Sequence, residues 1–401
     1  MINTDLVPRP RCMAAVEPWI GKPLVKVLTG QRRVGKSCLL ALLAEHLRQS
    51  APRTPVLLVQ KELAEWDELR TGDELLRWVK RQRPRGRGVL MVDEVQEITG
   101  FDRALRSLAA EGRLDLYVTG SNAELLSGEI ADRFAGRAVT IEVHPLSYDE
   151  FLVFHSLPDD DDSLRQYLRF GGLPFLKHLE LRDEIAFEYL YGVAQTAILK
   201  DVVARHALRS TDLLERLVLF LADNLGSPVS AQGIVRFLKA QRISSSVPTI
   251  LEYLARLGQA HLIRGVRRSD LEGKRFFEVA EKHYFEDLGI RAALRGARPE
   301  DIGKVVENAV LARLLSDGFT ITTGEVDGRE IDFVCNRGSE RCYVQATYLM
   351  PDPSTREREF GSLLSIPDNH PKLVVSLDPV LADERGVMHR HLRDFLRDGV
   401  S

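Results

Sequence analysis

Between residues 23 and 143, short apolar runs alternate with longer amphipathic stretches. Leu24–Leu28, Val56–Val59, Val89–Val92 and Leu114–Val118 are short and, apart from Lys26 and Asp115, apolar, the pattern of strands buried on both faces. Between them, Ser37–Arg48 and Asp67–Lys80 repeat apolar positions at helical spacing, which predicts helices. Strands that alternate with helices imply βαβ units and a parallel sheet. Residues 1–145 are therefore expected to form an α/β domain.

The pattern changes after Pro145. From Asp149 to Asp201 helical periodicity dominates, broken by an acidic turn at 158–162 and by Gly171, Gly172, Leu173 and Pro174. This stretch reads as a helical lid over residues 146–205. Three helices are expected next, at Asp212–Leu225, Ala231–Lys239 and Val247–Leu257, followed by extended segments Ala260–Arg267 and Arg275–Val279 around the turn Glu272-Gly273. Three helices and a hairpin predict a winged-helix segment over 206–300. Residues 301–401 read again as α/β, with an amphipathic Val305–Ser316 and strands at Phe319–Thr323, Glu330–Cys335, Cys342–Tyr348 and Lys372–Leu377.

Composition narrows the class. The 401 residues exceed one ordinary core, and 44% hydrophobic with 28% charged residues is the balance of a globular protein. No run of 18 apolar residues occurs, which argues against a transmembrane helix, and the charged, proline-bearing N-terminus argues against a secretory signal. Four cysteines without a C-x-x-C pair suit a reducing cytoplasm, with Cys335 and Cys342 expected as free thiols. A net charge of −3 excludes a basic coat over the whole chain but not a local basic patch.

The first block carries the chemistry. Gly30, Gly35, Lys36 and Ser37 satisfy G-x-x-x-x-G-K-[ST] between a strand and a helix. Glycines let backbone N–H groups turn inward around phosphate oxygens, and the helix directs its positive end at the same place. The expected nucleotide contacts are Gly30, Gln31, Arg32, Arg33, Val34, Gly35, Lys36, Ser37 and Cys38. Lys36 would meet the β- and γ-phosphates of ATP, and Ser37 would be a Mg2+ ligand. Asp93 ends an apolar strand where open α/β sheets bind ligands, and is the second expected Mg2+ residue. Glu94 is placed to polarise an attacking water. Asn122 is the expected sensor of the γ-phosphate, with Ser121 and Thr119 as rivals. Arg137, Arg133, Arg32 and Arg33 are the candidates for an arginine at the transferred phosphate.

With these residues placed, the chain resembles the predicted prokaryotic AAA+ ATPases that carry a C-terminal domain of unknown function. Beyond the P-loop and Val92–Gln96, the likeness includes Thr119–Asn122, Gly136-Arg137, His144–Phe151, Gly171–Pro174, Leu199–Val203, Glu281–Gly289, Glu307-Asn308, Glu330–Phe333 and Thr355–Phe360. The resemblance implies an ATPase core, a winged-helix segment and a C-terminal region similar to restriction-endonuclease-like folds. Such nucleases use a helix glutamate, a strand aspartate and Glu-x-Lys on the next strand. Glu307, Asp332 and Glu330 match the acids, but Gln345 and Thr347 stand where the second acid and the lysine belong. A retained fold without nuclease activity is expected.

The partners expected are ATP and ADP, with DNA as a further candidate. From Arg236 to Arg275 there are nine Lys/Arg against three Asp/Glu, coinciding with the winged-helix segment. Duplex or structured DNA would meet Ser244–Thr249 and the wing cations Arg264, Arg267, Arg268, Lys274 and Arg275. A protein-binding winged helix and a slow nucleotide-dependent switch are the alternatives. The basic run Arg77–Arg87 reads as an exposed loop. AAA+ rings, in which a neighbour's arginine completes the site, point by analogy to a homo-oligomer, with a monomer as the alternative.

Overall fold

The computed structural model describes residues 6–82, 86–120, 134, 136–204, 211–270 and 280–400. They divide into two compact units, the first ending at Val143 and counting Gln259–His261, the second starting at His144.

In the first unit, helix α1 (Pro10–Val16) precedes strands β1 (Val25–Thr29), β2 (Val56–Gln60), β3 (Gly88–Asp93), β4 (Leu114–Thr119) and β5 (Ala138–Glu142). Helices α2 (Lys36–Ser50), α3 (Gly72–Gln82) and α4 (Phe101–Glu111) connect them. The strands form one sheet in the order β2-β3-β4-β1-β5, and every pairing is parallel. All six residues of β3 are buried, which is why it reads as an unbroken apolar run. Helix α3 starts five residues later than its periodicity suggests. The Glu74 carboxylate accepts the N–H groups of Arg70 and Thr71, and Thr71 Oγ1 accepts that of Glu74, a reciprocal cap that leaves Asp67–Arg70 outside the helix.

The second unit opens with α5 (Tyr148–His155), α6 (Asp161–Phe170) and α7 (Asp183–Thr196), the last running into a π-helical turn at Ala197–Ala204. Then come α8 (Thr211–Asp223), β6 (Pro228–Ser230), α9 (Ala231–Ala240), α10 (Val247–Gln259), β7 (Ile263–Asp270), β8 (Ala280–Phe285) and α11 (Leu288–Arg295). The C-terminal stretch adds α12 (Ile302–Ser316), β9 (Thr320–Val326), β10 (Arg329–Arg337), β11 (Glu340–Ala346), α13 (Pro353–Leu364), β12 (Lys372–Ser376), β13 (Val387–His391) and α14 (Leu392–Asp398). The turn expected at Glu272-Gly273 and the extended segment Arg275–Val279 lie outside the described residues, and the next described strand is Ala280–Phe285.

The eight strands among the described residues of this unit share one sheet, in the order β13-β12-β11-β10-β9-β7-β8-β6. The seam is the parallel pairing of β7 with β9, through Arg268↔Thr323, Ser269↔Gly324 and Asp270↔Glu325. The hairpin of the middle segment and the strands of the C-terminal stretch are thus one hydrogen-bonded surface. Helix α12 is clamped to it by Asn308, whose amide accepts from Phe285 N at 3.1 Å and donates to Phe285 O at 2.9 Å. The acidic turn at 158–162 also has partners: Asp161 accepts from Arg393 and Asp159 from Arg397, both at 2.7 Å, so it is tied to α14 rather than merely solvated.

Candidate functional site

The site is assembled by register. Strand β4 lies between β1 and β3, and the pairings Leu28↔Thr119 and Val92↔Val118 set Thr119 level with Asp93 and with the end of β1. Thr119 Oγ1 donates to Asp93 Oδ1 at 2.5 Å and accepts from Glu94 N at 2.9 Å. Thr119 is fully buried and Asp93 nearly so. Burial pushes the Asp93 carboxyl above its ordinary range, while hydrogen bonds from Thr119 and Ser37 pull it back. Ser37 and Asp93, the two expected Mg2+ residues, are therefore in contact.

The loop from Gly30 to Gly35 joins β1 to α2. A side chain at Gly30 would put its Cβ 2.2 Å from Val143 O, and Gly30 has φ +146°, so only glycine fits there. Gly35 caps α2 in the left-handed region at φ 93°. Lys36 Nζ donates to Gly30 O and Gln31 O, both at 2.9 Å, and the buried Arg9 Nη1 donates to Val34 O at 2.9 Å. The loop is thus held from within and from the residue preceding α1. Arg33 takes φ 72° and is exposed, as is Cys38. Gln31 is fully buried, yet neither its amide oxygen nor its nitrogen has a hydrogen-bond partner among the described residues. A buried, unsatisfied amide costs roughly 1–3 kcal/mol, which makes it a group awaiting a polar partner. The glycine cradle, the orphaned amide, the adjacent lysine and the Ser37–Asp93 pair suit a polyphosphate with a divalent cation.

Glu94 follows Asp93 in the left-handed conformation (φ 52°) and accepts a hydrogen bond from Gln96 Nε2. In the sequence, Gln96 stands out only through the family likeness. Thr119 stands there only as a rival of Asn122, because the register that brings it to Asp93 is not visible in one strand alone. Asn122, Ser121 and Arg133 lie outside the described residues. Arg137 is not brought to this site. It precedes β5, and its carbonyl accepts from Val25 N at the start of β1. The five residues of β5 separate it from the loop end by roughly 16 Å, farther than its side chain reaches. Parallel pairing with β1 fixes that direction, which the Gly136-Arg137 motif alone does not disclose.

In the basic segment, Arg264 is paired with Glu286 and Arg267 with Glu281, at 3.2 and 3.1 Å, and Arg268 with Glu325. Arg236, Lys239 and Arg242, on α9 and the turn after it, are exposed. At the start of α10, Ser246 Oγ accepts from Thr249 N, a helix cap. Lys274 and Arg275 lie outside the described residues. No helix among the described residues is long and apolar enough to cross a membrane.

Residues 22–152 match the AAA domain family, and residues 161–301 match a domain of unknown function (DUF8612). An uncharacterized protein of Haemophilus influenzae is 31% identical over 360 residues, covering 88% of either chain. An uncharacterized protein of Methanocaldococcus jannaschii is 27% identical over 67% of this chain and 63% of its own length. Among solved structures, the Walker-type ATPase of Pyrococcus abyssi aligns over 73% of this chain and 96% of its own, with a TM-score of 0.50 at 19% identity. The chain belongs to the same family as the Haemophilus influenzae protein, and carries an AAA domain of the P-loop ATPase class followed by a domain of unknown function.

Proposed function

We propose that this chain is a Mg2+-dependent ATPase whose second unit engages DNA. The observation that carries the reading is the junction of Ser37, Asp93 and Thr119 beside a complete P-loop. Backbone N–H groups of Gly30–Gly35 and the start of α2 would hold the phosphates, with Lys36 as their cation and the Gln31 amide as a further donor. Ser37 and Asp93 would hold the metal, which when bound neutralises charge on the phosphates and orients them. Glu94 would position the attacking water and take its proton.

The exposed Arg236, Lys239 and Arg242 support contact with the DNA backbone, whereas ion pairing of Arg264, Arg267 and Arg268 leaves less free charge on the hairpin than the sequence suggests. The order of three helices and three antiparallel strands supports a winged-helix reading of 211–285. Helix α12 with β9–β12 and α13 supports a restriction-endonuclease-like reading of the C-terminal stretch, without nuclease activity. One observation favours a slower, switch-like cycle that answers to a protein partner: the Gln96 amide holds the carboxylate that would act on water.

Phosphate release by wild type, Lys36→Ala and Glu94→Gln, with and without duplex, forked and single-stranded DNA, tests the reading. Turnover that both variants lose, and that one DNA form stimulates, is expected. Binding of ATP with no release in any condition would overturn hydrolysis and favour the switch.

A further inference from the structure

Four charged side chains from three elements converge inside the second unit. Glu307 comes from α12, Glu330 and Asp332 from β10, and Lys282 from β8. Lys282 Nζ lies 2.8 Å from Glu307 Oε1, 2.8 Å from Glu330 Oε1 and 3.2 Å from Asp332 Oδ1. Only 6% of Lys282 is exposed, so its charge has left water and depends on these acids. Two further donors reach the same acids. Tyr284 OH donates to Glu307 Oε1 at 2.7 Å, and Ala346 N donates to Asp332 Oδ2 at 3.0 Å. Gln345 is committed at both ends, accepting from Asp332 N at 3.2 Å and donating to Glu359 at 2.9 Å.

We propose that the ammonium of Lys282 takes the place of a divalent cation in this cluster, giving a metal-free ion-pair centre that fastens β8 to α12 and β10. A metal ion would need the same carboxylate oxygens at about 2.0–2.2 Å, around the point where Nζ now sits. Ammonium and metal exclude each other there by space and by charge. The lysine that the restriction-endonuclease-like pattern expects at Thr347, just after β11, is in effect supplied from β8, a strand that precedes the cluster by 25 residues or more. Burial alone would lower the Lys282 pKa, but Asp332, Glu307 and Glu330 outweigh it and hold the group charged. Burial, with Glu307 nearby, pushes the Asp332 carboxyl up, while the Lys282 charge and the Ala346 N–H pull it back. Because β8 is the hairpin partner of β7, the centre ties the basic segment to the C-terminal strands. The inference is independent of the ATPase reading, and takes from the restriction-endonuclease-like reading only the expectation of a metal.

The test is Mn2+ binding, by electron paramagnetic resonance and by the thermal shift that Mn2+ produces, on nucleotide-free full-length protein carrying Asp93→Asn to silence the first unit. With Lys282 present, no Mn2+ is expected at the cluster. Lys282→Ala should gain one Mn2+ with affinity at least about ten-fold above the parent, together with a Mn2+-dependent rise in melting temperature. Adding Glu307→Gln should abolish both. If Lys282→Ala does not fold, Lys282→Met, which keeps the stem, takes its place with the same expectation. Mn2+ bound by the parent and lost with Glu307→Gln would overturn the inference while leaving the fold reading intact. No gain in a folded Lys282 variant would overturn it equally.

Discussion

The side chain of Asp287 accepts the backbone N–H of Gly172 at 2.7 Å, joining two segments 115 residues apart. Asp287 is nearly fully buried and also caps α11 by accepting from Ile290 N at 2.9 Å. Burial pushes its carboxyl up to about 6 despite these donors. The contact requires that Gly172 have no side chain, since a Cβ there would fall 2.4 Å from Leu146 O.

Gly172→Ala should therefore destabilise the second unit by roughly 2–4 kcal/mol, because backbone rather than a mobile side chain must move. Urea unfolding followed by fluorescence would show it, and a loss under about 0.5 kcal/mol would mean that the two segments can separate freely.

Thr119 joins Asp93 and Glu94 through one hydroxyl. Thr119→Val keeps the shape and removes both hydrogen bonds, so phosphate release should fall roughly 10–100-fold, while Thr119→Ser stays within several-fold of wild type. Equal activity in all three proteins would remove Thr119 from the machinery.

Gln31 predicts opposite effects on stability and binding. Gln31→Leu removes a buried amide without a described partner, and should stabilise the nucleotide-free protein by about 1 kcal/mol. The added stabilisation by MgATP should shrink, as read by differential scanning fluorimetry with and without nucleotide.

Gln96→Ala frees the Glu94 carboxylate from its amide partner. Basal turnover is expected to rise several-fold, on the order of 1 kcal/mol in barrier, with ATP affinity unchanged. A fall in turnover would assign Gln96 to aligning Glu94 rather than restraining it.

His155 gives a pH signature. It packs tilted against Phe151 at 4.4 Å between ring centroids, its Nε2 has no partner among the described residues, and burial lowers its pKa to about 4. The unfolded chain takes up this proton near pH 6.5, the folded chain only near pH 4, so stability declines as pH falls through that window and levels off below it. His155→Phe should flatten this part of the stability–pH curve, measured by urea titration at several pH values.

The nucleotide site and the βαβ character of the first unit were legible in the sequence because both are local. A P-loop is eight consecutive residues between a strand and a helix, and buried parallel strands advertise themselves as apolar runs such as Val89–Val92. The three helices at 211–259 were legible for the same reason, since each carries its own period. What tertiary structure decided were relations across distance. Strand order set Thr119 beside Asp93 and removed Arg137 to the other end of β5. The β7–β9 pairing merged strands that the sequence divides into separate segments. Lys282 sits on a short strand whose mixed polarity signals no period, and its acids lie 25 to 50 residues downstream. Hydrophobic periodicity records which face an element buries, not which element covers it, so a charge that one strand delivers to the acids of another leaves no mark in either segment.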